Sequence, residues 1–138
     1  MHEPQPYVLL IDDDEDDLEM FSSGLEKKDI KVKTFDSSTK ALFYLTLMSG
    51  NRELPSLIIM DYNMPKKNGQ QVLSLIKNNG DTKDIPVVIY STSMHDLLRK
   101  QLSDAGALEC FSKPWTYQEV NTLVEIFQEL TYSSQIKN

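Results

Sequence analysis

Soft and borderline metal ligands are scarce in this chain, which has one cysteine, Cys110, and two histidines, His2 and His95, among 138 residues. One cysteine rules out an intrachain disulfide, and with two distant histidines it cannot assemble the Cys/His set of a structural zinc site. That usage fits a reducing compartment, and a cytoplasmic location is expected. Glycine is limited to five residues, and no Gly-rich phosphate loop or Ser/His/Asp arrangement occurs. Basic residues are outnumbered 14 to 21, for a formal charge of −7. A field of that sign repels phosphate polymers and anionic membranes, so neither nucleic acid nor membrane is expected as a partner. Long apolar runs are also missing. The nearest, ALFYLTLM at 41–48, falls well short of the roughly 20 residues a spanning helix needs. The opening MHEPQPY has no basic-then-apolar secretory pattern.

What remains is a chain with 40% hydrophobic residues, enough for one well-buried core, so a single domain over 1–138 is expected. Five short apolar runs have strand length: YVLLI (7–11), IKVKTF (30–35), SLIIMD (56–61), PVVIYS (86–91) and ALECFS (107–112). Between them, apolar residues return at helical spacing, as in Leu18, Phe21 and Leu25 or Val120, Leu123, Val124 and Phe127. Runs one, three and four are apolar throughout instead of alternating, the mark of strands covered on both faces and therefore parallel. Breakers at Gly50, Pro55, Gly80, Pro86, Gly106 and Pro114 separate the units. The pattern predicts an α/β fold with a doubly wound five-stranded parallel sheet and helices on both faces. The ordered core is expected over about 6–131, with frayed ends at 1–6 and 132–138. Residues 116–131 already serve as the last helix, so no effector domain is expected.

Doubly wound sheets bind ligands beyond the carboxyl ends of their strands. Strand one ends in an unbroken acidic run, Asp12 to Asp17; strand three ends in Asp61, strand four in Ser91 and Thr92, and strand five in Lys113. Carboxylates brought together from neighbouring strands repel unless a cation neutralises them. Carboxylate and carbonyl oxygens suit Mg²⁺ (or Mn²⁺), which shares its shell readily with phosphoryl oxygens. Lys113 offers a movable positive charge and Ser91 a hydroxyl donor. Asp61 remains as a carboxylate nucleophile able to form an acyl phosphate.

Asp12-Asp13, the segment IIMDYNMPKKNG (58–69), the hydroxyl at the end of strand four and FSKPW (111–115), taken together and in order, resemble the receiver domain of two-component response regulators. The resemblance covers nearly the whole chain. It implies a flavodoxin-like strand order 2-1-3-4-5, Asp61 as phosphoacceptor, and Ser91 and Lys113 contacting the phosphoryl group. For the metal it implies Asp13 and Asp61 as ligands, Asp12 acting mainly through water, and the backbone carbonyl of Asn63. A cis Lys113–Pro114 peptide is implied as well, at a cost of roughly 1 kcal/mol, and Pro65 and Gly69 would shape the loop after strand three. The implied partners are a sensor histidine kinase or phosphotransfer protein and a downstream protein met through the helix 4–strand 5–helix 5 face, where Arg99 and Lys100 give charge and Tyr117 and Ile126 apolar contact. Homodimerisation through that face is a further expectation. Such a protein is no enzyme beyond catalysing its own phosphorylation and dephosphorylation.

The chain departs from the family pattern at the switch. Cys110 stands where relatives commonly carry an aromatic, and Phe111, next to it, faces the other side of the strand. Thr92 stands where many carry Ala or Gly, which narrows access to Asp61. Plainer readings apply to several residues. Asp14 and Glu15 to Asp17 suit the first turn of a helix, as cap and dipole partners. Ser91 could cap helix four, His95 suits the solvated start of that helix, and Cys110 suits a small buried hydrophobe. A flavin carrier is disfavoured because acids follow strand one, and an aspartyl phosphohydrolase because Asn63 stands where the acid-base carboxylate is needed. The remaining alternative is a non-phosphorylated receiver-like docking module.

Overall fold

The computed structural model describes residues 5–50 and 53–136. Five strands alternate with five helices: β1 (Tyr7–Ile11), α1 (Glu15–Glu26), β2 (Lys31–Phe35), α2 (Ser38–Ser49), β3 (Leu57–Asp61), α3 (Gly69–Lys77), β4 (Val87–Ser91), α4 (Asp96–Asp104), β5 (Glu109–Ser112) and α5 (Tyr117–Ile136). All neighbouring strands pair in parallel, in the expected order β2-β1-β3-β4-β5.

Side chains on a strand alternate between faces, so each apolar run supplies both layers of the core. Val8, Leu10, Leu57, Ile59, Val88 and Tyr90 pack against Phe21 and Leu25 of α1 and Val124 and Phe127 of α5. Leu9, Ile11, Ile58, Met60, Val87 and Ile89 pack on the other face, against residues such as Leu45 of α2, Ile76 of α3 and Leu102 of α4. Burying each such side chain contributes about 1.5–3 kcal/mol, which is why the three continuous runs occupy the centre. β2 lies at an edge with Lys31 and Lys33 along it, charges that discourage pairing with another chain.

Local chemistry starts the helices where the sheet needs them. Asp14 caps α1 by accepting from the N–H of Asp16 and Asp17, Ser37 caps α2, and Asn68 forms a reciprocal capping box with Gln71 at α3. At α4 the cap is His95, whose Nδ1 accepts from the Leu98 N–H at 3.2 Å. This corrects the reading of Ser91 as that cap. Gly69 opens α3 against the end of β3, where a Cβ would lie 2.9 Å from the Tyr62 Cα. The fraying expected after residue 131 is also corrected, since α5 continues to Ile136. No glycine or proline occurs after Pro114 to interrupt its hydrogen-bond ladder. Residues 1–4 and 137–138, part of the expected ends, lie outside the described residues. Among the described residues, no helix is long and apolar enough to cross a membrane.

Candidate functional site

Because every strand runs the same way, all carboxyl ends open on one rim. The Asp12 N–H bonds to the Phe35 carbonyl at 3.1 Å, carrying the ladder one residue past β1. Asp61, the last residue of β3, stands beside Tyr90 in register. The Lys113 N–H bonds to the Ser91 carbonyl at 2.9 Å, which ties the residue after β5 to the end of β4. These local constraints bring Asp12, Asp13 and Asp61 together, with one oxygen from each lying within 4.8 Å of the others. Asp12 and Asp61 are buried and Asp13 is exposed at the mouth. Three hard oxygen donors in that arrangement fit a small divalent cation.

The electrostatics of the cluster follow from burial. Removing Asp12 from water raises its pKa from 3.8 to about 7; the Asp61 charge adds to this, while bonds from the Tyr90 hydroxyl and the Asp14 N–H, with the Lys113 charge, oppose it. The Asp61 pKa is raised as well, chiefly by burial, against the stabilising Asn63 N–H. That N–H donates to Asp61 Oδ1 at 3.1 Å. Burial lowers the Lys113 pKa, but Asp17, Asp12 and Asp61 more than offset it, so its charged form is favoured overall.

Two residues of the site were not singled out from sequence. Tyr90 is fully buried, and its hydroxyl donates to Asp12 Oδ2. A tyrosine in the otherwise apolar run VVIYS was the available signal, since a buried phenol needs a polar partner. Asp17 is the second. Instead of serving only as a solvated first-turn acid, it forms an ion pair with Lys113, the two side chains being 15% and 19% exposed. Lys113 Nζ also sits 5.9 Å from the centroid of the Tyr90 ring.

The other expected residues are placed as follows. The Ser91 hydroxyl donates to Asn63 Oδ1 at 2.8 Å and accepts from the Ser93 N–H at 3.1 Å, so it ties the end of β4 to the loop that follows Asp61. Thr92 is exposed next to it. Lys113–Pro114 is trans, because no peptide bond among the described residues is cis; this corrects the implied cis bond. Isomers of an X–Pro bond differ by only about 1 kcal/mol, so surrounding contacts decide between them. Cys110 is buried on the α2–α4 face, where burial raises its thiol pKa. Phe111 packs edge-on against Phe127 at 5.7 Å on the opposite face. On the α4–β5–α5 face, Arg99 is turned onto the Cys110 carbonyl, Lys100 pairs with Asp104 at 2.9 Å, and Ile126 packs partly buried on the core. Tyr117 remains 75% exposed there.

Residues 8–125 match the model of the response regulator receiver domain family. The chain is 35% identical over 129 residues to the two-component response regulator ARR15 of Arabidopsis thaliana, covering 89% of this chain and 63% of that protein, and so spans less than two thirds of ARR15. It is 33% identical over 121 residues to the two-component response regulator ORR3 of Oryza sativa subsp. japonica, covering 88% and 89%. Among solved structures, the phosphorylated cyanobacterial phytochrome response regulator RcpA superposes with a TM-score of 0.83 at 27% identity, covering 94% of this chain and 96% of that one. The Mn²⁺-bound form of response regulator Rcp1 gives 0.78 at 25%, covering 91% and 93%. With the sheet order, the acidic rim and these likenesses in agreement, the chain belongs to the response regulator receiver domain family of two-component signalling.

Proposed function

We propose that the chain is a phosphoacceptor receiver: Asp61 takes a phosphoryl group from the phosphohistidine of a sensor histidine kinase or phosphotransfer protein, and the phosphorylated domain acts through protein contacts. The observation that carries this reading is the convergence of Asp12, Asp13 and Asp61 within 4.8 Å at the end of the sheet. Crystal structures of RcpA in phosphorylated form and of Rcp1 with Mn²⁺ support it.

In the step itself, a carboxylate oxygen of Asp61 attacks phosphorus, a P–O bond forms, the P–N bond breaks and its electron pair returns to the imidazole. The Asn63 N–H on Oδ1 orients the carboxylate for attack. Ser91 and Lys113 supply a hydroxyl and an ammonium to the equatorial oxygens, with Ser91 first giving up its bond to Asn63 Oδ1. Asp13, Asp61 and the Asn63 carbonyl, with Asp12 acting through water, would hold a divalent cation, Mg²⁺ or Mn²⁺, which would supply positive charge against the carboxylates and the phosphoryl oxygens. The domain acts in the cytoplasm and modifies only itself. Its output runs through the α4–β5–α5 face, to a downstream protein or a second copy.

Incubation with Mg²⁺ and a small phosphodonor, followed by intact mass measurement, tests this reading. Wild type gains one phosphoryl group and Asp61→Asn gains none. A wild type that stays unlabelled, under conditions that label another receiver, hands the case to the docking-module reading.

A further inference from the structure

The lysine assigned to the phosphoryl group is already engaged. Lys113 leaves the end of β5 with its backbone held to Ser91, and its ammonium is paired with Asp17 on the first turn of α1. Among the described ion pairs, Asp17 is its partner, and neither Asp12 nor Asp61 is. The pair is mostly shielded from solvent, at 15% and 19% side-chain exposure, so water screens it less than a surface pair. Lysine is a compact charge on a flexible four-carbon stem, able to move between nearby anions without a backbone change. The charges of Asp12 and Asp61 also act on it, so it stands within electrostatic reach of the site.

We propose that Asp17 is a positioning residue that holds Lys113 away from the phosphoryl site until a phosphoryl group competes for it. This rests on the reading of Lys113 as a phosphoryl contact. The competition has a consequence for equilibrium: whatever free energy the Asp17 pair contributes must be given up when Lys113 transfers, so it opposes phosphoryl binding by the same amount. It has a consequence for α1 too. Once Lys113 leaves, Asp17 is a mostly buried carboxylate without its cation, and the change of state is felt on the first turn of α1.

Beryllofluoride, an unreactive stand-in for the phosphoryl group, is titrated at saturating Mg²⁺ and low ionic strength, with binding followed by calorimetry. Asp17→Asn is expected to bind it roughly 5- to 20-fold more tightly than wild type, within the range of ordinary coupling between sites. Asp17→Glu restores the pair and returns the affinity toward wild type. Asp16→Asn removes the same charge from an exposed neighbour and leaves the affinity unchanged, which separates the ion pair from a general charge effect. Asp17→Ser replaces Asp17→Asn should the amide unfold α1. A wild type that fails to bind beryllofluoride overturns the phosphoacceptor reading itself. A wild type that binds it, with Asp17→Asn binding equally or more weakly, overturns this inference alone, as does an Asp16→Asn variant that tightens to the same degree.

Discussion

Replacing Asp12 by Asn should make the metal-free protein more stable at neutral pH, although the residue is fully buried and hydrogen-bonded. Burial lifts its pKa from 3.8 to about 7, about three units at roughly 1.4 kcal/mol each, which is about 4 kcal/mol between ionised and neutral forms. Below about pH 4 the side chain is protonated in both folded and unfolded chains and carries no penalty. Between about pH 4 and 7 the folded protein keeps its proton while the unfolded chain loses it, so stability falls as pH rises, and above about pH 7 the whole loss is present. The Asn variant lacks this contribution to the slope. Asn offers one acceptor oxygen where the carboxylate accepts from both the Asp14 N–H and the Tyr90 hydroxyl, which costs about 1–2 kcal/mol. The net gain from Asp12→Asn at about pH 7.5 is therefore about 2 kcal/mol, shrinking to a small loss near pH 4. Urea unfolding of both proteins with a chelator present, across that pH range, measures it. Saturating Mg²⁺ should then reverse the order, because the Asp12 charge tightens the cation's hold on the folded wild type, and tighter binding to the folded state adds more stability by mass action. A difference independent of pH, or an Asn variant less stable at neutral pH, would refute the argument that the site is a carboxylate cluster held together against its own charge.

Two further outcomes are expected. Gly24→Ala should destabilise the fold by about 1–2 kcal/mol, because the added Cβ would lie 2.8 Å from Val124 Cγ2 and overpacking outweighs the roughly 1 kcal/mol gain in helix propensity. In a Val124→Ala background, the same change should stabilise, as read by urea unfolding. Thr92→Ala should raise the rate of Asp61 labelling by a small phosphodonor several-fold, since it trims a side chain next to Ser91 at the mouth of the site. An unchanged rate in stopped labelling followed by mass measurement would exclude any gating by Thr92.

The division between what the chain spells out and what folding decides runs along sequence distance. Continuous apolar runs around Leu9, Ile59 and Val88 mark central parallel strands, because only strands covered on both faces can bury every residue. The helical spacing of Phe21 and Leu25 or Val124 and Phe127 is equally local. A parallel sheet opens all its strand ends on one rim, so the meeting of Asp12, Asp13, Asp61, Ser91 and Lys113 was legible from their places at the ends of four strands. The pairings within that rim were not. Asp12 takes its hydroxyl partner from Tyr90, 78 residues away, and Lys113 takes its carboxylate from Asp17, across from β5 to α1. An acid in a helix's first turn satisfies capping and dipole preferences wherever it points, so Asp14 and Asp17 look alike in sequence. Only the fold, which packs α1 against α5 and brings Lys113 from the connection between β5 and α5 to its first turn, shields one of them from water and gives it a cation. The trans Lys113–Pro114 bond and the cap supplied by His95 belong to the same class, since each is a choice between local alternatives about 1 kcal/mol apart that the surrounding fold settles.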